Sequence, residues 1–218
     1  MTNTTYLQKC INDHDYGDPI YTDRLADAMA CDLNIPKANA SAAVAVAMKR
    51  LMDRKKIPEL RRFQKGVYYR AAETPFGETG INTGKLIADR YLLPDQGYET
   101  GLGLLHRLGL TTQMPAEALI ATNSARDCLR HDEKLGVSIC PPKAPVTADN
   151  KAYLQILDAM DYLEKAPVDA DEPYRILAEH INANQLDYEK LLYLADKFYN
   201  HKTIMALAHT AGQKERIN

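Results

Sequence analysis

Tryptophan is absent from this 218-residue chain, and phenylalanine nearly so, with three against thirteen tyrosines. An aromatic complement made almost wholly of tyrosine combines large apolar rings with polar tips, which suits half-buried cores as well as interfaces. Tyr153, Tyr162, Tyr174, Tyr188, Tyr193 and Tyr199 all fall in the C-terminal region, where a core role is the default reading. Cysteine is scarce and scattered: Cys10, Cys31, Cys128 and Cys140 form no C-x-x-C pair. That spacing excludes a zinc ribbon and a disulfide framework, and buried free thiols in a reducing compartment are expected. No apolar run approaches the roughly 20 residues of a membrane span. The N-terminus has neither a basic n-region nor an apolar h-region, so a cytoplasmic location without a membrane partner is expected.

Catalytic signatures are equally thin. Gly101-Leu-Gly103-Leu-Leu-His106 imitates part of a dinucleotide fingerprint but lacks the third glycine and a preceding strand. Gly84-Lys85 lacks the upstream glycine and the following Ser or Thr of a phosphate loop. His14, His106, His131, His180, His201 and His209 show no metal-ligand spacing, and Ser41, Ser124 and Ser138 sit in no nucleophile elbow. The expectation is a protein that is not an enzyme and holds no cofactor and no metal.

What is present is ordinary globular composition, 45% hydrophobic and 26% charged, with one concentrated anomaly. Between residues 37 and 70, Lys37, Lys49, Arg50, Arg54, Lys55, Lys56, Arg61, Arg62, Lys65 and Arg70 face only Asp53 and Glu59. The segment therefore carries +8 in a chain whose net charge is −2, which leaves −10 elsewhere. Its first part, Asn39 to Asp53, spaces Val44, Met48 and Leu51 at i, i+4, i+7, one apolar helical face. Two β-rich runs follow, Ile57 to Phe63 and Val67 to Arg70, joined across Gln64-Lys65-Gly66, where glycine supplies a positive φ. Helix then hairpin is the winged half of a winged helix-turn-helix, and a basic stripe on it is what phosphate neutralisation requires.

Placing Val44, Met48 and Leu51 inward turns Asn39, Ala42, Val46, Lys49 and Arg50 outward. Ala42 is small enough to approach a thymine methyl, and Arg50 suits guanine or a phosphate. Asn39 is open to two roles, helix cap or adenine reader. Lys37 and Arg54 flank the helix, and Arg61, Arg62 and Lys65 on the wing are suited to phosphate or minor-groove contacts. The expected partner is double-stranded DNA.

Upstream, residues 4 to 13 read as an amphipathic helix with Tyr6, Leu7, Cys10 and Ile11 inward, and Asp18-Pro19 breaks the chain. A second helix is capped by Thr22, with Leu25, Ala26, Ala28 and Met29 as its apolar positions. The turn Leu33 to Lys37 contains Pro36 and leads into the basic helix. Thr74 to Gly80, punctuated by Pro75 and two glycines, reads as a linker. Beyond it, Ile81 to Leu92 and Tyr98 to Leu108 read as helices. Ala118 to Asn123 and Gly136 to Cys140 read as strands, and four helices follow at 150–165, 173–183, 187–198 and 201–211. The expected class is α+β, mostly α: a winged helix-turn-helix at residues 1–76, then an α-rich domain with a small sheet at 77–218.

Three segments resemble bacterial AbiEi-type antitoxins and transcriptional regulators. They are the wing Gly66-Val-Tyr-Tyr-Arg70, the block Gly97-Tyr-Glu-Thr-Gly101 leading to Leu108-Gly-Leu-Thr-Thr-Gln-Met-Pro115, and Ala121-Thr-Asn123. By layout the likeness runs over residues 20 to 200, and it is specific in sequence over 97 to 123. It implies a winged helix that represses its own operon from its own promoter, and a C-terminal antitoxin domain that counteracts a cognate nucleotidyltransferase-like toxin. Within that block, Thr111, Thr112 and Gln113 either order a turn through side-chain to backbone bonds or form a partner surface. Two other classes compete: a nucleic-acid-processing enzyme or accessory protein with a metal site in the C-terminal domain, and a winged-helix module that binds protein.

Overall fold

The computed structural model describes the backbone of residues 2–217 and the side chains of residues 2–213. The chain divides into two compact units, Met1–Leu86 and Ile87–Asn218. In the first, α1 (Asn3–Asn12) is followed by β1 (Ile20–Tyr21), α2 (Thr22–Leu33), α3 (Lys37–Asp53), β2 (Leu60–Gln64) and β3 (Val67–Arg70). Two short strands, β4 (Glu73–Thr74) and β5 (Gly77–Glu78), close on each other as a hairpin, and α4 (Thr83–Ile87) leads out.

Local chemistry explains these boundaries. Thr2 caps α1, its hydroxyl accepting from Thr5 N–H at 3.2 Å. At the end of α2, Asn34 adopts the left-handed conformation (φ 51°) and donates its N–H back to the last turn. Pro36 then stands at the N-cap of α3, a position where its missing N–H costs nothing. Asn39 therefore lies inside the first turn, its N–H bonded to Pro36 O at 2.9 Å, so it is not the cap. Nor does Thr22 cap α2: Tyr21 holds that position, and the Thr22 hydroxyl instead donates to Gly66 O at 3.4 Å. Ala28 points to solvent, whereas Leu25, Ala26 and Met29 are buried as their spacing requires.

Leu7 and Ile11 of α1, Met29 of α2, and Val44, Met48 and Leu51 of α3 are at most 1% exposed and pack into one core with Ile20 and Leu60. The sheet order is β1-β3-β2, antiparallel throughout, with Ile20 opposite Tyr68 and Leu60 opposite Arg70. A bulge between Arg62 and Gln64 precedes the turn, where Gly66 takes φ 81°. The segment expected as a linker is instead fastened to this unit. Thr79 N–H donates to Ala72 O at 2.8 Å, Asn82 N–H donates to Gly17 O at 2.8 Å, and Lys85 pairs with Asp18. The division accordingly falls at Leu86, ten residues beyond the expected boundary at 76.

The second unit begins with a π-helical turn, Ala88–Leu92, continuing α4. It then holds β6 (Gly97–Thr100), α5 (Gly101–Arg107), β7 (Ala118–Thr122), β8 (Arg130–Asp132) and β9 (Val137–Cys140). Four helices complete it: α6 (Lys151–Tyr162), α7 (Pro173–Ala183), α8 (Tyr188–Phe198) and α9 (His201–Ile217). The sheet order is β6-β7-β9-β8; β7 pairs parallel with β9, and the two edge strands pair antiparallel. Consecutive residues of the central strands, Ile120, Ala121 and Thr122, then Val137, Ser138 and Ile139, are all buried, so both faces of the sheet are covered. Tyr98 to Leu108, expected as one helix, is a strand that turns into a helix at Gly101, whose φ is 69°. β8 was not anticipated.

The helical core joins Leu104 and Leu105 of α5, Leu157 of α6, Leu177 and Ile181 of α7, Leu191 of α8 and Leu207 of α9. The architecture is α+β and mostly α, and no helix among the described residues is long and apolar enough to cross a membrane.

Candidate nucleic-acid interface

Because α3 buries Ala40, Val44, Ala47, Met48 and Leu51, its opposite face is set by the 3.6-residue period. Asn39, Ala42, Val46, Lys49 and Arg50 are all exposed on it. Arg54, Lys55 and Lys56 follow directly, with Lys55 in the left-handed region at φ 47° as the chain reverses toward β2. Arg62 and Lys65 are exposed on the β2–β3 hairpin, where Arg62 Nε donates to Gln64 O at 3.4 Å.

Three of the ten cations are engaged elsewhere. Lys37 pairs with Asp27 of α2 at 2.6 Å, which raises its ammonium above the usual lysine range. Arg70 is largely enclosed, donating to Asn12 O and His14 O at 2.9 Å and pairing with Glu59 at 3.0 Å. Arg61 is the sharpest departure from expectation. Its Nε donates to Glu78 Oε2 at 2.9 Å, its second nitrogen meets the other carboxylate oxygen, and its third donates to Pro58 O and Leu60 O. This fork-to-fork arrangement is the strong form of an arginine–carboxylate contact and holds the Glu78 carboxyl below the usual range. A guanidinium so occupied brackets the β4–β5 hairpin and is not presented to a phosphate. Lys49, Arg50, Arg54, Lys55, Lys56, Arg62 and Lys65 enter no ion pair among the described residues, and all seven are exposed.

In the second unit the Thr111 to Gln113 turn is built by side-chain bonds. Thr111 is 4% exposed, its hydroxyl accepting from Gln113 N–H at 3.2 Å. Asp169 takes both the N–H and the hydroxyl of Thr112, which lowers its carboxyl pKa. Thr111 therefore offers no surface; Thr112 and Gln113 are exposed beside Met114. Asn123, from the segment carrying the resemblance, pins a loop by donating to Val146 O and accepting from Val146 N–H, each at 2.8 Å.

Two buried acids were not anticipated. Asp158 and Asp161 stand on the inward face of α6, at i+4 and i+7 from Leu154, and their presence on that apolar period is the sequence signal for them. Asp158 accepts from Thr100 Oγ1 at 2.7 Å and Tyr199 Oη at 2.6 Å. Burial pushes its pKa up, and the hydroxyls oppose that shift. Asp161 accepts from Lys165 Nζ and from Asn200 Nδ2 at 2.8 Å. Both acids are satisfied interior groups tying α6 to the end of β6 and to the α8–α9 connection. Among the described residues no group of three or more His, Cys, Asp or Glu is placed to hold a metal ion. The cysteines are free, with Cys31 and Cys128 exposed and not buried as expected. The chain matches no protein-family model and no curated protein.

Proposed function

We propose that this protein is a DNA-binding transcriptional regulator whose first unit is a winged helix-turn-helix. In this reading α2 and α3 are the helix-turn-helix pair, α3 enters the major groove, and the β2–β3 hairpin is the wing. The observation that carries it is the set of seven exposed cations on α3, the turn that follows it and the β2–β3 hairpin, none of them in an ion pair among the described residues. Lys49 and Arg50 share the helix face opposite the core, and Arg62 and Lys65 extend the same charge onto the hairpin. The element order and the β1-β3-β2 sheet further support it. Contacts of this type release condensed counterions, so affinity falls steeply with salt. Titration of duplex from upstream of the protein's own coding sequence, at a series of salt concentrations, tests the reading; absence of binding at low salt defeats it.

The resemblance over residues 97 to 123 extends the proposal to an AbiEi-like antitoxin, not an enzyme, that represses its own operon and counteracts a nucleotidyltransferase-like toxin. The excess of acid outside the basic segment supports a basic partner for that role. Co-expression with such a toxin, comparing the full chain with a variant carrying Arg50→Ala, Arg62→Ala and Lys65→Ala, separates the two activities. The antitoxin role predicts growth rescue by both.

A further inference from the structure

Val46 stands in the middle of the outward face of α3 and is 50% exposed. Ala42 lies one turn before it and Arg50 one turn after, with Lys49 beside Arg50, and all three are exposed. A valine at this position removes little apolar area from water and has a lower helix propensity than the alanines around it. Neither burial nor helix formation accounts for its branched side chain.

The surface beside Val46 is concave. Thr2, Asn3 and Thr4, at the start of α1, face Ala42, Ala43 and Val46 across a cavity of about 360 Å³. Among the described residues, Arg50 is the one charged side chain lining it and no acid does so. Arg50 enters no ion pair among the described residues. The cavity therefore has an apolar wall, a wall of hydroxyl and amide groups, and one guanidinium free to meet an anion or a base edge.

The cations around Val46 favour a polyanion, while the valine itself can form no hydrogen bond with a base. The major groove offers such a side chain one apolar partner, the 5-methyl group of thymine. Ala42 and Val46 are four residues apart, a rise of about 6 Å, which spans about two base-pair steps of 3.4 Å. A protein partner fits the patch less well. A stable interface covers about 800 Å² on each side, far more than one valine and its neighbouring alanines present.

We propose, resting on α3 being the recognition helix, that Ala42 and Val46 read the 5-methyl groups of thymines at two neighbouring base pairs, with Arg50 anchoring the same stretch of duplex. The specificity of the protein is then for a site with thymine at its centre, set by apolar contact where the flanking cations supply affinity.

Selection of bound duplexes from a random pool supplies the preferred site, which is then synthesised with thymine and with uracil. The two duplexes pair identically and differ in the methyl groups alone. The wild type should bind the uracil duplex about fourfold more weakly for each methyl it contacts. The salt slope should be the same for both, since a methyl carries no charge. Val46→Ser, which leaves the core untouched, should lose most of the difference between the duplexes. Equal binding of the two duplexes by the wild type, a preferred site without thymine, or an undiminished difference in Val46→Ser overturns this proposal and leaves the regulatory reading standing. Failure to bind any duplex at low salt overturns both.

Discussion

The Glu99 carboxylate lies against the bare Cα of Gly103, so close that a β-carbon there would fall 2.4 Å from Oε1. From that position Glu99 pairs with Arg107 at 2.9 Å, one helical turn further along α5. Gly103→Ala would push aside only the end of a flexible side chain. It loses an ion pair worth about 0–1 kcal/mol and gains about 1 kcal/mol of helix propensity, so stability should change by less than about 1 kcal/mol. Gly97 is the contrasting case. A β-carbon there would stand 2.2 Å from Tyr91 O and 2.7 Å from Ala121 O, both backbone atoms. Gly97→Ala should cost about 1–3 kcal/mol or more by urea denaturation, because strand and turn must part to admit it.

The buried Asp158 makes stability depend on pH with a definite sign. Its folded pKa is raised, so the folded state holds the proton more tightly than the unfolded chain does. Its contribution to stability is therefore greatest in acid, and it is progressively lost as pH rises from the ordinary aspartate range to the raised folded value. Asp158→Asn has no such titration. In paired urea melts, the Asp158→Asn variant should gain on the wild type as pH increases. Asp158→Ala leaves the Thr100 and Tyr199 hydroxyls without their acceptor and should cost about 2–4 kcal/mol in acid, a difference that narrows as pH rises.

Arg61 and its neighbours on the hairpin should separate cleanly in a salt titration of DNA binding. Arg62→Ala and Lys65→Ala should each flatten the slope of log affinity against log salt by about 1. Arg61→Ala should leave that slope unchanged while destabilising the fold. Glu78→Gln sets the Arg61 guanidinium free of its ionic partner and should steepen the slope by up to about 1. A loss of slope in Arg61→Ala equal to that in Arg62→Ala would show that Arg61 leaves Glu78 for the phosphate.

Thiol titration with an aromatic disulfide should resolve two classes. Cys31 and Cys128 are exposed and should react fast. Cys140 is partly enclosed, and burial pushes its pKa up to about 11, so it carries almost no thiolate near neutral pH and should lag until the chain unfolds.

Where burial is one-sided and periodic, the sequence reads correctly. Val44, Met48 and Leu51 face inward and Asn39, Ala42 and Lys49 outward, because the helical period allows no other choice. The strand Ala118–Thr122 is visible as an unbroken apolar run because both faces of its sheet are covered. Failures arise where a distant group decides. β6 reads as helix because Tyr98 to Leu108 has a helical apolar spacing, and only its pairing with residues 119 to 122 draws its residues 97 to 100 into a strand. The candidate interface shows the same limit. Charge counting locates the stripe, yet it cannot distinguish Arg62, in solvent, from Arg61, claimed by a carboxylate seventeen residues later on a hairpin too short to be recognised.

The parallel pairing of β7 with β9 sets an order of assembly. A central strand flanked by residues 97–100 on one side and 137–140 on the other is closed on both edges only when chain on either side of it has returned to pair, and such nonlocal closure is slower than local helix packing. The α2 and α3 helices are adjoining in sequence and pack directly on each other. On the ribosome, the core into which the basic helix and its hairpin pack is complete once residue 86 has emerged, while β7 must wait with one edge open until Cys140 follows. For that interval the exposed edge of β7 is the part of the nascent chain most in need of protection from pairing with a neighbour.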